Sequence, residues 1–327
     1  YAVLSQKFKT HKTQGNLNNE LGVPLTLLSM PEDTEAAVIE MGISDFGEMT
    51  RLSEMVQPTI CVLTIIGECH LENLGDRDGV LKAKTEMFKN ARKNADFILN
   101  GDDDKLSTVK TVNGKKPVFF GLDAKNDFYA KNIKNSGDGK VLATLCFDNN
   151  DIDVEIPAIG TYMVTNALAA AAAGKLLGLT DEEIANGVAS YKTVGSRANV
   201  IDTGKIKIID DCYNANPTSV RASLDTLSNL DGRKVAILGD MKELGSEELK
   251  LHFDTGVYAK SKDIGTVITV GELAKELAKG ADGKAFDTIE DAKSEILKTI
   301  KSGDVVLVKA SHSMQFENIV EFLKQNF

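Results

Sequence analysis

Cysteine is scarce in this chain of 327 residues. The four present, Cys61, Cys69, Cys146 and Cys212, fall at irregular spacing, mostly in or beside apolar runs. That pattern suits reduced core thiols, and it supports neither a disulfide framework nor a zinc site. Long apolar runs are missing too: none approaches the roughly 18 residues that would cross a bilayer. The N-terminus lacks the basic, apolar, small-residue order of a signal peptide, so a cytoplasmic protein with no membrane partner is expected. Basic charge is not in excess, since 38 Lys and Arg against 48 Asp and Glu give a net charge of −10. Phosphate backbones are met by basic faces, so nucleic acid is not an expected partner. A nucleotide held locally by backbone amides and a metal remains compatible with this charge. No short-period repeat occurs.

What is present is a globular composition, 42% hydrophobic and 26% charged, at a length that predicts two domains. Tyr1 to Phe8 reads as the tail of a helix without its beginning. Apolar runs of strand length at 36–42, 59–67 and 95–103 alternate with helix-like segments, which predicts an α/β fold with a mostly parallel sheet covered on both faces. Residues 105–157, with short pieces such as "KPVFFGL" and "LATLCFDNNDIDVEI", read as antiparallel excursions at the sheet edge. Residues 165–178 predict a helix, and "TDEE" at 180–183 a capping box opening the next one. From about Arg197 a second alternation begins: strand 206–211, helix 217–229, strand 234–239, helix 246–262, strand 266–270, helix 271–279, strand 304–309, helix 313–326. This is the pattern of a small Rossmann-like domain, so the expected division is 1–196 and 197–327.

Ligands of parallel sheets collect beyond the carboxyl ends of the strands. In the first domain those ends carry Glu40, His70, Asp102 and Asp103, groups able to hold a divalent cation whose shell water and phosphate oxygens complete. Each alone is more often structural. A deaminase-like use of His70 and Glu72 fails for want of a PCxxC segment. Lys84 falls within the apolar stripe Val80, Leu81, Met87, Phe88, Ala91 of the helix "GVLKAKTEMFKNAR", with Lys82, Glu86 and Lys89 on the opposite face. Such a lysine either snorkels or loses its charge and offers a neutral amine. The loop "TQGNLNNELGVP" at 13–24, with Asn16 and Asn19, is a turn before a helix that could also meet a phosphate or a metal-bound water. The segment "IIDDCYNANPTS" at 208–219 delivers two aspartates, a tyrosine and two asparagines from a strand into one short loop. A surface turn is the simplest account of those residues; a binding loop is the other.

Taken together, "GNLNNELGVPLTLL", "VIEMG", "IGECHLENLG", "KAKTEMF", "TNALAAAAAG", "DDCYNANPTS" and "ILGDMKELG" resemble the Mur ligases of peptidoglycan synthesis along essentially the whole chain, and above all the member making the last amino-acid addition. The resemblance implies an ATPase-type central domain and a C-terminal ligase domain. It implies that ATP phosphorylates the terminal carboxylate of UDP-N-acetylmuramoyl-tripeptide and that the amine of D-Ala-D-Ala attacks the acyl phosphate, with Mg²⁺ neutralising the phosphates. By the same resemblance Glu40 and His70 are Mg²⁺ ligands, and Lys84 matches a lysine that relatives carry as a carbamate supporting a second metal. Asn166 and Arg197 match contacts to adenine and phosphates, and Asp211 the residue that holds the ribose. Asn16 and Asn19 join the cofactor side. Tyr213, Asn214, Asn216, Lys309 and His312 face the dipeptide or the tripeptide tail, in what is expected to be a monomer. Glu40, His70 and Lys84 should then share one magnesium pocket facing the "YNANP" turn across a gap between two lobes.

Departures from the family pattern carry expectations of their own. No GxxGKT phosphate loop occurs in the sequence, so the chain is expected to begin just after one, without a nucleotide-sugar domain, and to catalyse little by itself. Ile65 stands where Asn is common, "GTYMVTN" replaces "GxHNVxN", and "KASHSM" puts the titratable His312 where an Arg would bind a carboxylate in bidentate fashion. Two other readings compete: a ligase adding glutamate to folate, as the folylpolyglutamate synthases do, and a noncatalytic module that binds a peptide or nucleotide.

Overall fold

The computed structural model describes residues 1–136, 139–193 and 195–327. In the first half, β1 (Thr10–Lys12) and β2 (Ala36–Val38) form a two-stranded parallel sheet. A three-stranded parallel sheet follows, made of β3 (Ile60–Leu63), β4 (Asp96–Asn100) and β5 (Val118–Phe120). Helices α1 (Gly22–Leu28), α2 (Glu48–Val56), α3 (Leu71–Leu74) and α4 (Arg77–Thr85) fill the connections. Next comes the antiparallel sheet of β6 (Tyr129–Asn135), β7 (Val141–Phe147) and β8 (Asn150–Ile156). Its order follows the chain, as expected for hairpin-linked strands. Helix α5 (Tyr162–Leu176) is apolar nearly all round and buries Val164, Ala167, Leu168, Ala169, Ala171 and Ala172, which is what its alanine run is for. Helix α6 (Asp181–Ala189) opens with the expected capping box: Thr180 accepts from the Glu183 amide, and Glu183 from the Thr180 amide.

The second half is a six-stranded sheet of β9 (Asn199–Asp202), β10 (Lys207–Asp210), β11 (Arg233–Gly239), β12 (Thr266–Val270), β13 (Lys284–Phe286) and β14 (Asp304–Lys309). The strand order is β13-β12-β11-β14-β10-β9, and every neighbouring pair is parallel except β9 with β10. Helices α7 (Pro217–Ser228), α8 (Glu248–Ser261), α9 (Ala274–Ala281), α10 (Ile289–Thr299) and α11 (Glu317–Asn326) cover it. Alternate strand residues point to opposite faces. Val306 and Val308 accordingly pack with Ile296, Ile319 and Leu323, whereas Val305 and Leu307 pack with Leu224, Leu227 and Leu277. All six residues of β14 are buried, as a central strand covered on both faces requires.

Several local expectations are corrected. The first residues form only a short 3-10 turn at Leu4–Gln6. Val118–Phe120 is not antiparallel but extends the parallel sheet beside β4. Strand β13 and helix α10 went unread, although Thr288 accepts from the Asp291 amide as a standard N-cap. The helix bearing Lys84 stops at Thr85 and passes into a 3-10 segment, Glu86–Asn90. Glu86 does not lie on a solvent face: its carboxylate accepts from the amides of Gly47 and Thr50 and from the Thr50 hydroxyl, closing the start of α2.

Candidate active site

The carboxyl ends of β10, β11 and β14 are adjacent, and the loops leaving them are tied to one another. At the end of β14, Lys309 is buried, and its Nζ donates to Asp211 Oδ2 at 2.7 Å and to the Asn214 carbonyl at 3.0 Å. Two residues on, the Ser311 amide donates to the Asp240 carbonyl, and Ser311 Oγ accepts from the Lys242 amide. The loop after β11 is held from below by His252 of α8. The Met241 amide donates to His252 Nε2 at 2.9 Å, so the ring proton sits on Nδ1, which donates to the Glu248 carbonyl at 2.6 Å. Burial lowers the pKa of this imidazole, and the neutral ring is the form that this bonding needs. Asn216 ends the loop after β10 as the N-cap of α7: its Oδ1 accepts from the Ser219 amide, and its own amide donates to Ser219 Oγ. The dense polarity of residues 208–219 is thus partly a helix start.

A cleft of about 310 Å³ opens against these loops, lined by Asn214, Ala215, Asn216, Lys242, Glu243, Ser311, His312 and Ser313 on one side and by Cys69 and His70 on the other. His70 enters α3 with φ +53°, a left-handed conformation unusual outside glycine. Its Nδ1 lies 2.6 Å from Glu243 Oε2. Burial pushes the Cys69 thiol upward, the nearby charge of Lys84 pulls it down, and Glu243 raises it. Lys84 itself is half-buried and does not line the cleft. At the rim, the Arg197 guanidinium lies over the Tyr213 ring at 3.8 Å, and the Tyr213 and His312 rings are 6.0 Å apart.

The other expected residues are placed as follows. Asp211 Oδ1 accepts from the Ala198 amide and Oδ2 from Ser223 Oγ and Lys309; with about four lone-pair sites on a carboxylate, roughly one is left for a ligand. Lys309 is withdrawn from direct substrate contact, because its side chain is only 4% exposed and its ammonium is already shared between Asp211 and Asn214. Asn166 stands in the first turns of α5, exposed, with its amide 3.6 Å from Met163 Sδ. Asn19 Oδ1 accepts from the Leu21 and Gly22 amides as α1 begins, and Asn16 is exposed on the same loop. Glu40 is exposed and accepts from Asn18 Nδ2 at 2.8 Å; it does not line the cleft with His70.

Asp102 and Asp103 are not free for a cation. Asp102 accepts from the Leu122 amide and from Asn126, and the buried Asp103 from the amides of Ile66, Lys105 and Leu106. Among the described residues, no group of three or more His, Cys, Asp and Glu side chains is arranged to hold a metal. The remaining donors still suit Mg²⁺, which commonly takes one or two carboxylates and fills its shell with water and phosphate: Glu40 keeps one oxygen outside its bond to Asn18. Cys69, Lys242, Glu243 and Ser311 were not singled out from sequence. The strand-end rule that found His70 would have found Lys242 and Glu243 had it been applied after β11 as well.

The sequence profile of the Mur ligase middle domain matches residues 1–174, and that of the Mur ligase glutamate ligase domain matches residues 196–312. The UDP-N-acetylmuramoyl-tripeptide–D-alanyl-D-alanine ligase of Bacillus subtilis is 36% identical over 99% of this chain and 72% of its own length. Its Escherichia coli counterpart is 34% identical, over 99% and 73%. Among solved structures, MurF from Acinetobacter baumannii superposes with a TM-score of 0.93 at 31% identity, covering 99% of this chain and 72% of its own. The MurF ligase of Thermotoga maritima in complex with ADP gives 0.90 at 28%, covering 100% and 75%. With both halves matched and the same fold found in relatives of this identity, the chain belongs to the Mur ligase family.

Proposed function

We propose that the chain is the catalytic part of an ATP-dependent ligase that joins the amine of D-Ala-D-Ala to the terminal carboxylate of UDP-N-acetylmuramoyl-tripeptide in peptidoglycan synthesis. The cleft between His70 and the Asn214–Asn216 turn is the observation that carries this reading. Its volume is at the small end for ligand sites, a size for a dipeptide and not for a whole nucleotide-sugar peptide. A zwitterionic dipeptide offers a carboxylate, an amide and an ammonium, which the Asn214 and Asn216 amides, His312 and Glu243 match in kind. Tyr213, held flat by Arg197, closes the rim and keeps water from the attacking amine.

On the nucleotide side, the free guanidinium edge of Arg197 suits phosphate oxygens, Asn166 the adenine edge, and the last acceptor site of Asp211 a ribose hydroxyl. Asn16 lies towards the phosphates with Asn19, whose side-chain oxygen is committed to α1, shaping the loop. ATP with Mg²⁺ supplies the activated phosphoryl group; Glu40, with one carboxylate oxygen outside its bond to Asn18, would hold a metal through water and phosphate, and His70 and a carbamylated Lys84 would meet metal separately from it. The division at 196/197, which the two separate profile matches support, belongs to the same proposal, as do the cytoplasmic setting and the monomeric state.

Phosphate release should be measured on this chain and on the chain joined to the amino-terminal part of the B. subtilis relative, with ATP, Mg²⁺, D-Ala-D-Ala and the UDP-tripeptide. Release from the joined protein that needs all of them, with little from this chain by itself and none from folate plus glutamate, is the expected result. No release from either protein would overturn the reading.

A further inference from the structure

The segment Gly67–Glu72 bears Cys69 and His70, one wall of the cleft, and the second half of the chain grips it from two sides. From α7, Thr218 Oγ1 accepts from the Glu68 amide and donates to Glu68 Oε2, both at 3.3 Å, while Arg221 Nη1 lies 3.5 Å from the same oxygen. From the loop after β11, the Glu243 carbonyl accepts from the Glu72 amide at 3.3 Å. Gly245, at φ +63°, passes so close that its Cβ would be 3.2 Å from Glu72 Cα. Glu68 is only 19% exposed and Arg221 31%, so their attraction is screened less than that of a surface pair.

Helix α7 is the element that makes this grip informative. Its N-cap, Asn216, lines the opposite wall of the cleft, and Thr218 and Arg221 follow within its next two turns. A rigid helical turn therefore links one wall to the other through Glu68. We propose that Glu68, Thr218 and Arg221 are positioning residues: they form a clasp that fixes the distance between the His70 wall and the Asn214–Asn216 wall, and with it the fit of the acceptor dipeptide. None of the three has to touch substrate. The clasp rests on the ligase reading only for what the cleft holds, since its geometry stands without it.

The test uses the 327-residue chain and the variants Arg221→Ala, Glu68→Gln and Thr218→Val, with Arg221→Lys as the conservative replacement. Cys69 rides on the clasped segment, so its labelling rate by an aromatic disulfide reagent should rise about tenfold in the first three. Labelling of Cys61, Cys146 and Cys212 and the thermal midpoint should stay unchanged, and Arg221→Lys should restore the slow rate. Small-angle scattering should show a larger radius of gyration in the same three variants. In the ligation-competent chimera, KM for D-Ala-D-Ala should rise about tenfold with a smaller fall in kcat. Unchanged Cys69 labelling and unchanged scattering in Arg221→Ala and Glu68→Gln would overturn the clasp. Should the wild type ligate no dipeptide, the ligase reading falls while labelling and scattering still decide the clasp.

Discussion

Asn216 has two duties that substitution can separate. Its Oδ1 caps α7, whereas the rest of its amide faces the cleft. Asn216→Asp keeps the acceptor and should leave stability within about 0.5 kcal/mol, because Asp caps as well as Asn. The same change replaces a donor by a charge that repels the dipeptide carboxylate, so calorimetry should find weaker D-Ala-D-Ala binding. Asn216→Ala should lose both, at about 1 kcal/mol of stability in urea unfolding. Lys309 makes the opposite case, a residue whose chemistry suggested a ligand and whose place makes it structural. Lys309→Met strands the Asp211 carboxylate and should cost about 3–5 kcal/mol in denaturant unfolding. Adding Asp211→Asn should recover part of that, because the Ser223 and Ala198 bonds to Asp211 survive the exchange.

At the scale of elements, the loop after β11 depends on a proton. His252 Nε2 must accept from the Met241 amide, so protonating it sets two N–H groups against each other. Its folded pKa lies below the unfolded value of 6.5. The stabilising contribution is therefore complete above pH 6.5 and is lost as pH falls from there through the folded pKa, because only the unfolded state takes up the proton readily. Unfolding free energies from urea titrations should drop between pH 6.5 and 5 by up to about 1.4 kcal/mol per pH unit from this residue, and His252→Gln should flatten that slope. A pH profile identical in wild type and variant would contradict the assignment. Helix α10 and strand β13 show why elements escape a sequence reading: "KAF" is too short for a period-2 signal, and α10 stands between the stronger apolar signals of β12 and β14.

In the whole molecule the three sheets of the first half and the six-stranded sheet of the second meet at the cleft. The six-stranded sheet carries an apolar layer on each face, drawn from its own strands and helices except that Ile159 of the first half is buried in one of them. Residues 197–327 expressed alone should therefore fold and unfold cooperatively, with a midpoint lowered by the loss of Ile159 from its layer. Circular dichroism through a urea series checks this, and a noncooperative transition would show the sheet depends on its partner half. The exposed position of Glu40 and the cleft position of His70 belong to this scale too, since each side chain is placed by a different connection of the first half.

The sequence alone determined the α/β alternation, the helix cap at Thr180, the thiol character of the cysteines and the family, because each is set by local periodicity, by hydrogen bonding within a few residues, or by an ordered series of motifs. Tertiary structure alone decided that Asp102, Asp103 and Glu86 serve backbone amides, that Lys309 is internal, and that Glu68 meets Thr218 and Arg221 some 150 positions away. Those outcomes depend on which strand ends become neighbours, and a carboxylate beside an unpaired amide is claimed by it before any ligand arrives.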